Sequence, residues 1–387
     1  MNFTPLKGTQ DVYGEQWYLR QWIATQILNV LKLYGFRQVQ TPVLESRELM
    51  SILAGKDMTD QMYTLTDKSG RNLVIRSDIT PALTRLFIQT GKSQPKPLRF
   101  NCFDRIYRYE RPQEGRYREI YQINAELFGA KPPLADAELL AAFYECFAAI
   151  GLRDTTVVIG YRPLLACFLL INGTREDRVT EVIRLIDKRA KLSPGEFEAQ
   201  LTSSGFPPEK RPELETLLSC RGTIAQTRDT ILLLAATYPQ LREYTTKLTN
   251  ILSLLPAFGI ADQCVVDLGL ARGFQYYTGL IFEAINPNST LSIGGGGRYD
   301  TLVQAFGGPP TPATGFSLGF DRITSLVAQT QRNRTFSPSI DYVVVSDDTE
   351  ALRGRAIRLA QLLRSNGYIV DLDVVIGSCT STCNHKS

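Results

Sequence analysis

The chain has almost no histidine. Its single imidazole, His385, lies two residues from the end. That excludes mechanisms needing a well-placed imidazole base, and zinc sites with histidine ligands in the folded body. Cysteine is sparse as well, with seven residues at irregular spacing. Cys102, Cys146, Cys167, Cys220 and Cys264 sit mostly among apolar neighbours, where a free thiol behaves as a small hydrophobe. Cys379, Cys383 and His385 read as a metal-site fragment that lacks a fourth ligand, so no metal is assigned. The odd cysteine count and the absence of an apolar leader in the first eight residues point to the reducing cytoplasm. No apolar run is long enough to span a bilayer, and no membrane partner is expected. Charge bias is missing too: 43 basic against 39 acidic residues leave +4, short of the marked excess of a dedicated DNA binder. The usual nucleotide fingerprints are also absent. The glycines at 294–297 lack the G-x-G-x-x-G spacing and a downstream ribose-binding acid, and there is no Walker lysine.

What is present is an ordinary soluble composition, 43% hydrophobic, on a chain long enough for two or three domains. Its most distinctive stretch runs from Arg105 to Gly129. Two alternating segments flank a polar loop carrying Pro112 and Gly115, the pattern of two antiparallel strands. Arg105, Arg108, Arg111, Arg116 and Arg118 crowd this span among Glu110, Glu114, Glu119 and Glu126. Two readings stand open. One is a solvated, salt-bridged hairpin; the other is a polyphosphate cradle, because the planar guanidinium fork suits phosphate and carboxylate oxygens.

Around this hairpin the chain falls into order. A helix is expected from about Glu15 to Tyr34, stopped by Gly35, with a strand from Arg37 to Val43 interrupted by Pro42. A hairpin spans Gln61–Asp67 and Asn72–Arg76. In Ser77-Asp78-Ile79-Thr80-Pro81, Thr80 reads as a helix N-cap with Pro81 at the first helical position, and Asp78 as helix-entry electrostatics. Helical patterns dominate from about 160 to 258 and read as an insertion dividing one sheet. Strands are expected at Cys264–Leu268 and Phe274–Glu283. The four glycines before Arg298-Tyr299-Asp300 imply a backbone that something approaches closely. Thr314–Arg322 reads as a helix entry, with Gly315 and Gly319 letting the helix lie near the sheet. After a polar linker, a buried strand at Asp341–Val345, a helix at Glu350–Ser365 and a strand at Tyr368–Val375 begin a small α/β unit.

In this order the stretches resemble the class II aminoacyl-tRNA synthetase fold, and specifically the histidyl-tRNA synthetase family. The resemblance covers about residues 5–325. It rests on Val39-Gln-Thr-Pro42, on Arg108-Tyr-Glu110 through Arg116-Tyr-Arg-Glu119, on Leu270-Ala-Arg272 through Tyr277, and on Gly315 through Arg322. It implies an α+β class: an antiparallel sheet with flanking helices and a helical insertion over residues 1–330, then a truncated anticodon-binding-like α/β domain over 339–387. It further implies a cytoplasmic homodimer that joins L-histidine to tRNA(His), using ATP with Mg²⁺. Arg108 would grip the α-phosphate and the histidine carboxylate, Arg116 and Arg322 the outer phosphates, and Glu110 the adenine amino group. Arg272 would stand at the α-phosphate in place of one metal ion. Asp78, Thr80 and Gln122 would hold the α-amino group; Glu126, Tyr276, Tyr277 and Tyr299 would surround the imidazole.

Two departures from the family pattern lie near that site: Asp78 stands where many bacterial members carry glutamate, and Gln275 replaces a more usual acidic or small residue. Ile376 to Ser387 does not resemble the rest of the anticodon domain. Paralogues of the family serve as histidine-binding regulatory subunits whose partner is the ATP phosphoribosyltransferase catalytic subunit. That is the alternative reading, favoured by the shortened C-terminus, while the arginine array favours the enzyme.

Overall fold

The computed structural model describes residues 3–52, 55–111, 116–272, 276–331, 334–337, 340–345 and 349–372. The chain divides into two compact units, one of residues 1–11 and 20–332, the other of residues 12–19 and 333–387.

The first unit is built on a nine-stranded sheet. Its strands are β1 (Arg37–Gln38), β5 (Leu98–Tyr107), β6 (Glu119–Phe128), β7 (Thr156–Tyr161), β8 (Arg221–Thr223), β9 (Cys264–Asp267), β10 (Leu280–Ile285), β11 (Gly294–Arg298) and β12 (Ala313–Gly319), and the remaining strands β2 (Leu44–Ser46), β3 (Tyr63–Thr66) and β4 (Asn72–Ile75) form a small sheet of their own. The order across the large sheet is β1-β5-β6-β12-β11-β10-β7-β9-β8. Six of its pairings are antiparallel, and only β1 with β5 and β7 with β9 run parallel.

Register decides which residues share a face, since side chains alternate along a strand. Glu126 lies opposite Gly315 and Gln122 opposite Gly319; Gly315 in turn lies opposite Gly297, and Ser317 opposite Gly295. The face that carries Gln122 and Glu126 also carries Phe100, Phe128, Val158, Ile281 and Tyr299, part of a buried apolar cluster with Phe87, Leu270 and Tyr277. On the opposite face Phe143, from the helix Leu134–Ala149, packs edge-on to Phe282 and 5.0 Å from Phe316.

Several expectations need correction. The proline-interrupted segment after Gly35 is two strands in two sheets: β1 pairs with β5 and β2 with β4. The strand expected from Phe274 begins only at Leu280, so Tyr276 and Tyr277 precede it, while Phe274 and Gln275 lie outside the described residues. Thr314 to Gly319 lie in strand β12, and the helix starts at Phe320. A spacing of four puts Gly315 and Gly319 on one side of either element, so periodicity alone could not separate them. The region 160–258 is mostly helical, yet it also supplies β8, an edge strand of the main sheet paired to β9.

In the second unit, β13 (Tyr342–Val344) and β14 (Val370–Leu372) pair in parallel, with the helix Glu350–Ser365 between them in the chain. A positive-φ glycine, Gly367, follows that helix, as C-caps require. The expected burial of the first strand does not hold, because Tyr342 and Val343 are exposed and only Val344 is buried. Among the described residues no helix is long and apolar enough to cross a membrane. Cys379, Cys383 and His385 lie outside the described residues.

Candidate active site

A cleft of about 220 Å³ opens on the Gln122–Glu126 face of the sheet. All twelve site residues expected from the sequence line it. Arg108, Glu110, Arg116 and Arg322 are among them, as are Asp78, Thr80, Gln122, Glu126 and Arg272. Tyr276, Tyr277 and Tyr299 complete the set.

One end is aromatic and acidic. Glu126 is 1% exposed, and both of its carboxylate oxygens are used: Thr80 Oγ1 donates to Oε1 at 2.6 Å and the Tyr299 hydroxyl donates to Oε2. Asn124, two residues back on β6, donates from Nδ2 to Thr80 Oγ1 at 3.3 Å. Tyr276 stands edge-on to Tyr299 at 5.9 Å and 4.8 Å from Tyr277. Burial drives the Glu126 carboxyl up to about 8, and the neighbouring Asp78 charge pushes the same way, against the hydrogen bonds from Thr80 and Tyr299. Burial likewise raises the tyrosine hydroxyls of residues 276, 277 and 299, which stay protonated and able to donate.

The Thr80 expectation changes here. The helix Thr80–Thr90 has Ile79 at its cap position, and the Thr80 hydroxyl donates to Glu126 instead of capping. Asp78 does the entry work, its Oδ1 accepting from the Thr80 N–H at 3.0 Å.

The other end is cationic. Arg108 Nε donates to the Ser77 carbonyl at 3.0 Å, which seats its guanidinium beside Asp78 in the chain. Arg116 lies 3.9 Å from Glu110, a partly exposed pair. Arg322 Nη1 donates to the Ser292 carbonyl at 2.8 Å. Burial lowers the Arg322 pKa, and the adjacent Arg116 and Arg108 charges lower it further. Such crowding of like charge, offset in part by Glu110 and Asp321, suits the binding of an anion. Arg272 Nη1 donates to the Phe282 carbonyl at 2.8 Å, and its own carbonyl accepts from Arg162 Nη1 at 3.2 Å.

The glycines explain how charged groups reach the sheet surface. A Cβ at Gly315 would overlap Glu126 Oε2 and stand 2.6 Å from the Tyr299 hydroxyl. One at Gly295 would overlap Arg272 Nη1, and one at Gly297 would meet the Tyr277 ring at 2.8 Å. Glycine on these strands leaves the space that the side chains lining the cleft occupy. The sequence reading had Gly315 and Gly319 serving helix packing; instead they lie on the cleft floor. It also missed Asn124, which the period-two alternation with Gln122 and Glu126 would have found, and Asp321, adjacent to Arg322.

Comparison with known proteins agrees with this geometry. The family model described as histidyl-tRNA synthetase matches residues 8–323. The chain belongs to the histidyl-tRNA synthetase family. A member from Pyrococcus horikoshii, a histidine–tRNA ligase, is 40% identical over 327 residues, which cover 83% of this chain and 74% of that protein. The histidine–tRNA ligase of Pyrococcus furiosus is 36% identical over 381 residues, covering 96% of this chain and 85% of that one. Among solved structures, an ATP phosphoribosyltransferase regulatory subunit/histidyl-tRNA synthetase from Bacillus halodurans superposes with a TM-score of 0.83 at 25% identity, covering 99% of this chain and 96% of that one. The fold is therefore that of the histidyl-tRNA synthetases, a large, mostly antiparallel sheet with flanking helices.

Proposed function

We propose that this protein activates L-histidine with ATP to histidyl-adenylate and transfers the histidyl group to tRNA(His). The observation that carries the reading is the union, in one cleft, of a buried carboxyl–tyrosine pocket and four arginines. An imidazole presents one N–H donor and one lone pair, and Glu126 with the tyrosine hydroxyls offers partners for both. Leaving such buried groups unpaired is costly, so apolar competitors are rejected without an editing site. Asp78 and Gln122 hold the α-amino group, and Thr80 acts through Glu126.

Activation brings two anions together. A histidine carboxylate oxygen forms a bond to the α-phosphorus, the bond from that phosphorus to the bridging oxygen breaks, and pyrophosphate leaves with the electron pair. No protein nucleophile and no general base are needed; charge neutralisation and in-line positioning suffice. Arg108 and Arg272 meet the charge at the α-phosphate, Arg116 and Arg322 meet it on the outer phosphates, and Glu110 accepts from the adenine amino group. Mg²⁺ carried on the phosphates, when bound, supplies further positive charge to the leaving group. The parallel β13–helix–β14 unit is assigned to a partial anticodon-binding-like domain, and two copies of the chain are expected to pair through the segment around Val39–Pro42.

Histidine-dependent ATP–pyrophosphate exchange by the purified protein tests this directly, followed by charging of tRNA(His). Absence of exchange with histidine binding intact would refute activation and favour a regulatory role beside an ATP phosphoribosyltransferase catalytic subunit.

A further inference from the structure

Bordering the cleft, whose lining Asp321 joins, lies a charged pair that the mechanism above does not use. Arg20, on the helix Gly14–Leu33, donates from Nη1 to Asp321 Oδ1 at 2.8 Å, and both side chains are buried, at 6% and 5% exposure. Its guanidinium lies 4.5 Å from the centre of the Tyr121 ring and 4.9 Å from that of Phe320. The second carboxylate oxygen, Asp321 Oδ2, accepts from the Tyr121 backbone N–H at 2.7 Å. Each group that Arg20 or Asp321 grips adjoins a cleft residue: Tyr121 precedes Gln122, and Asp321 precedes Arg322. A buried ion pair gains little net stability over an apolar equivalent, because desolvation offsets most of the attraction. Packing alone therefore gives a weak reason for charge at this place. What the pair does supply is direction, since a planar fork seated against two rings and a carboxylate bonded to backbone admit few arrangements.

We infer that Arg20 and Asp321 are positioning residues that lock the start of the helix Phe320–Thr330 onto β6, and so hold the Arg322 guanidinium in place for the outer phosphates of ATP. The inference rests on the ATP role proposed above for Arg322. Arg322 is tied from two sides, by its own bond to the Ser292 carbonyl and by the Asp321 anchor to Tyr121. Loosening the second tie displaces the arginine without touching the imidazole pocket.

The test uses the full chain with Arg20→Lys and Asp321→Asn, singly and together. Lysine keeps the cation but loses the fork and its seat against the two rings; asparagine keeps the shape but, uncharged, holds Arg20 and the Tyr121 N–H less tightly. In histidine-dependent exchange the KM for ATP should rise about tenfold in each single variant, with kcat lowered less. The histidine dissociation constant should stay within about twofold, and the double variant should be no worse than the weaker single one, as expected for a coupled pair. An ATP KM unchanged in both variants would overturn the inference. So would parallel loss of ATP and histidine affinity, which would mark the pair as packing alone. Absence of exchange in the wild-type protein would instead sink the parent reading, and this inference with it.

Discussion

Gly295 offers the sharpest test of how the site is built. It sits in β11, opposite Glu283 on one side and Ser317 on the other, and the Arg272 guanidinium lies directly over its Cα. A methyl group added there would overlap Nη1 and stand 2.7 Å from both Arg272 Cζ and the Phe282 carbonyl oxygen. Carbon contacts need about 3.5–4.0 Å, so the overlapping Nη1 must retreat by about 2 Å and give up its bond to that carbonyl. The backbone contact costs about 1–3 kcal/mol as overpacking, which a domain of ordinary stability survives. A misplacement of about 1 Å at a group that stabilises the transition state costs about a hundredfold in rate, equivalent to about 2.7 kcal/mol. Gly295→Ala should therefore fold, bind histidine normally and exchange pyrophosphate at least about a hundred times more slowly at saturating substrates. Exchange kinetics, histidine titration calorimetry and a thermal melt read these separately. A folded G295A with wild-type exchange would refute the reasoning, because Arg272 would then need neither its seat nor its bond to Phe282.

Arg272→Ala should abolish measurable exchange while leaving histidine affinity largely intact; retained exchange would remove Arg272 from the phosphate chemistry. Glu126→Gln should weaken histidine binding by about tenfold to a hundredfold, the cost of leaving a buried hydrogen-bonding group unsatisfied, as titration calorimetry would report. The same variant changes pH behaviour. The folded pKa of Glu126, about 8, lies above its ordinary 4.5, so the folded state holds the proton more tightly than the unfolded chain. Stability from this group is complete below about pH 4.5 and falls as pH rises toward about 8, by roughly 1.4 kcal/mol per unit inside that window. Denaturant titrations of the ligand-free protein at pH 5.5 and 7.5 should show that fall, and E126Q should lack it.

Much of this arrangement could be read from the chain. The Arg105–Gly129 stretch announces two strands because its turn residues are clear; β6 follows it closely, while β5 starts at Leu98, seven residues before the stretch, and ends at Tyr107. The four glycines signalled close approach, though not of what; the structure answers with Arg272 over Gly295 and Tyr277 against Gly297. Other features were illegible for physical reasons. The three residues of β8 are too few to show a period, so only pairing with β9 makes them a strand. Thr80 has the right chemistry for a cap, but a carboxyl 46 positions along the chain accepts its hydrogen bond. Arg20 reads as an ordinary arginine on a helix until Asp321, 301 residues away, comes within 2.8 Å.

The sequence by itself determined which groups are available and in what order: arginines and carboxyls in place of histidines or thiols, with glycine at the points of closest approach. The tertiary structure decided their grouping. The pleat puts Gln122, Glu126, Gly315 and Gly295 on one face, and antiparallel register sets them side by side. Burial then turned Glu126 from an ordinary acid into one that holds its proton to about pH 8. Composition and order are local properties of a chain; register and desolvation exist only once distant segments pack together.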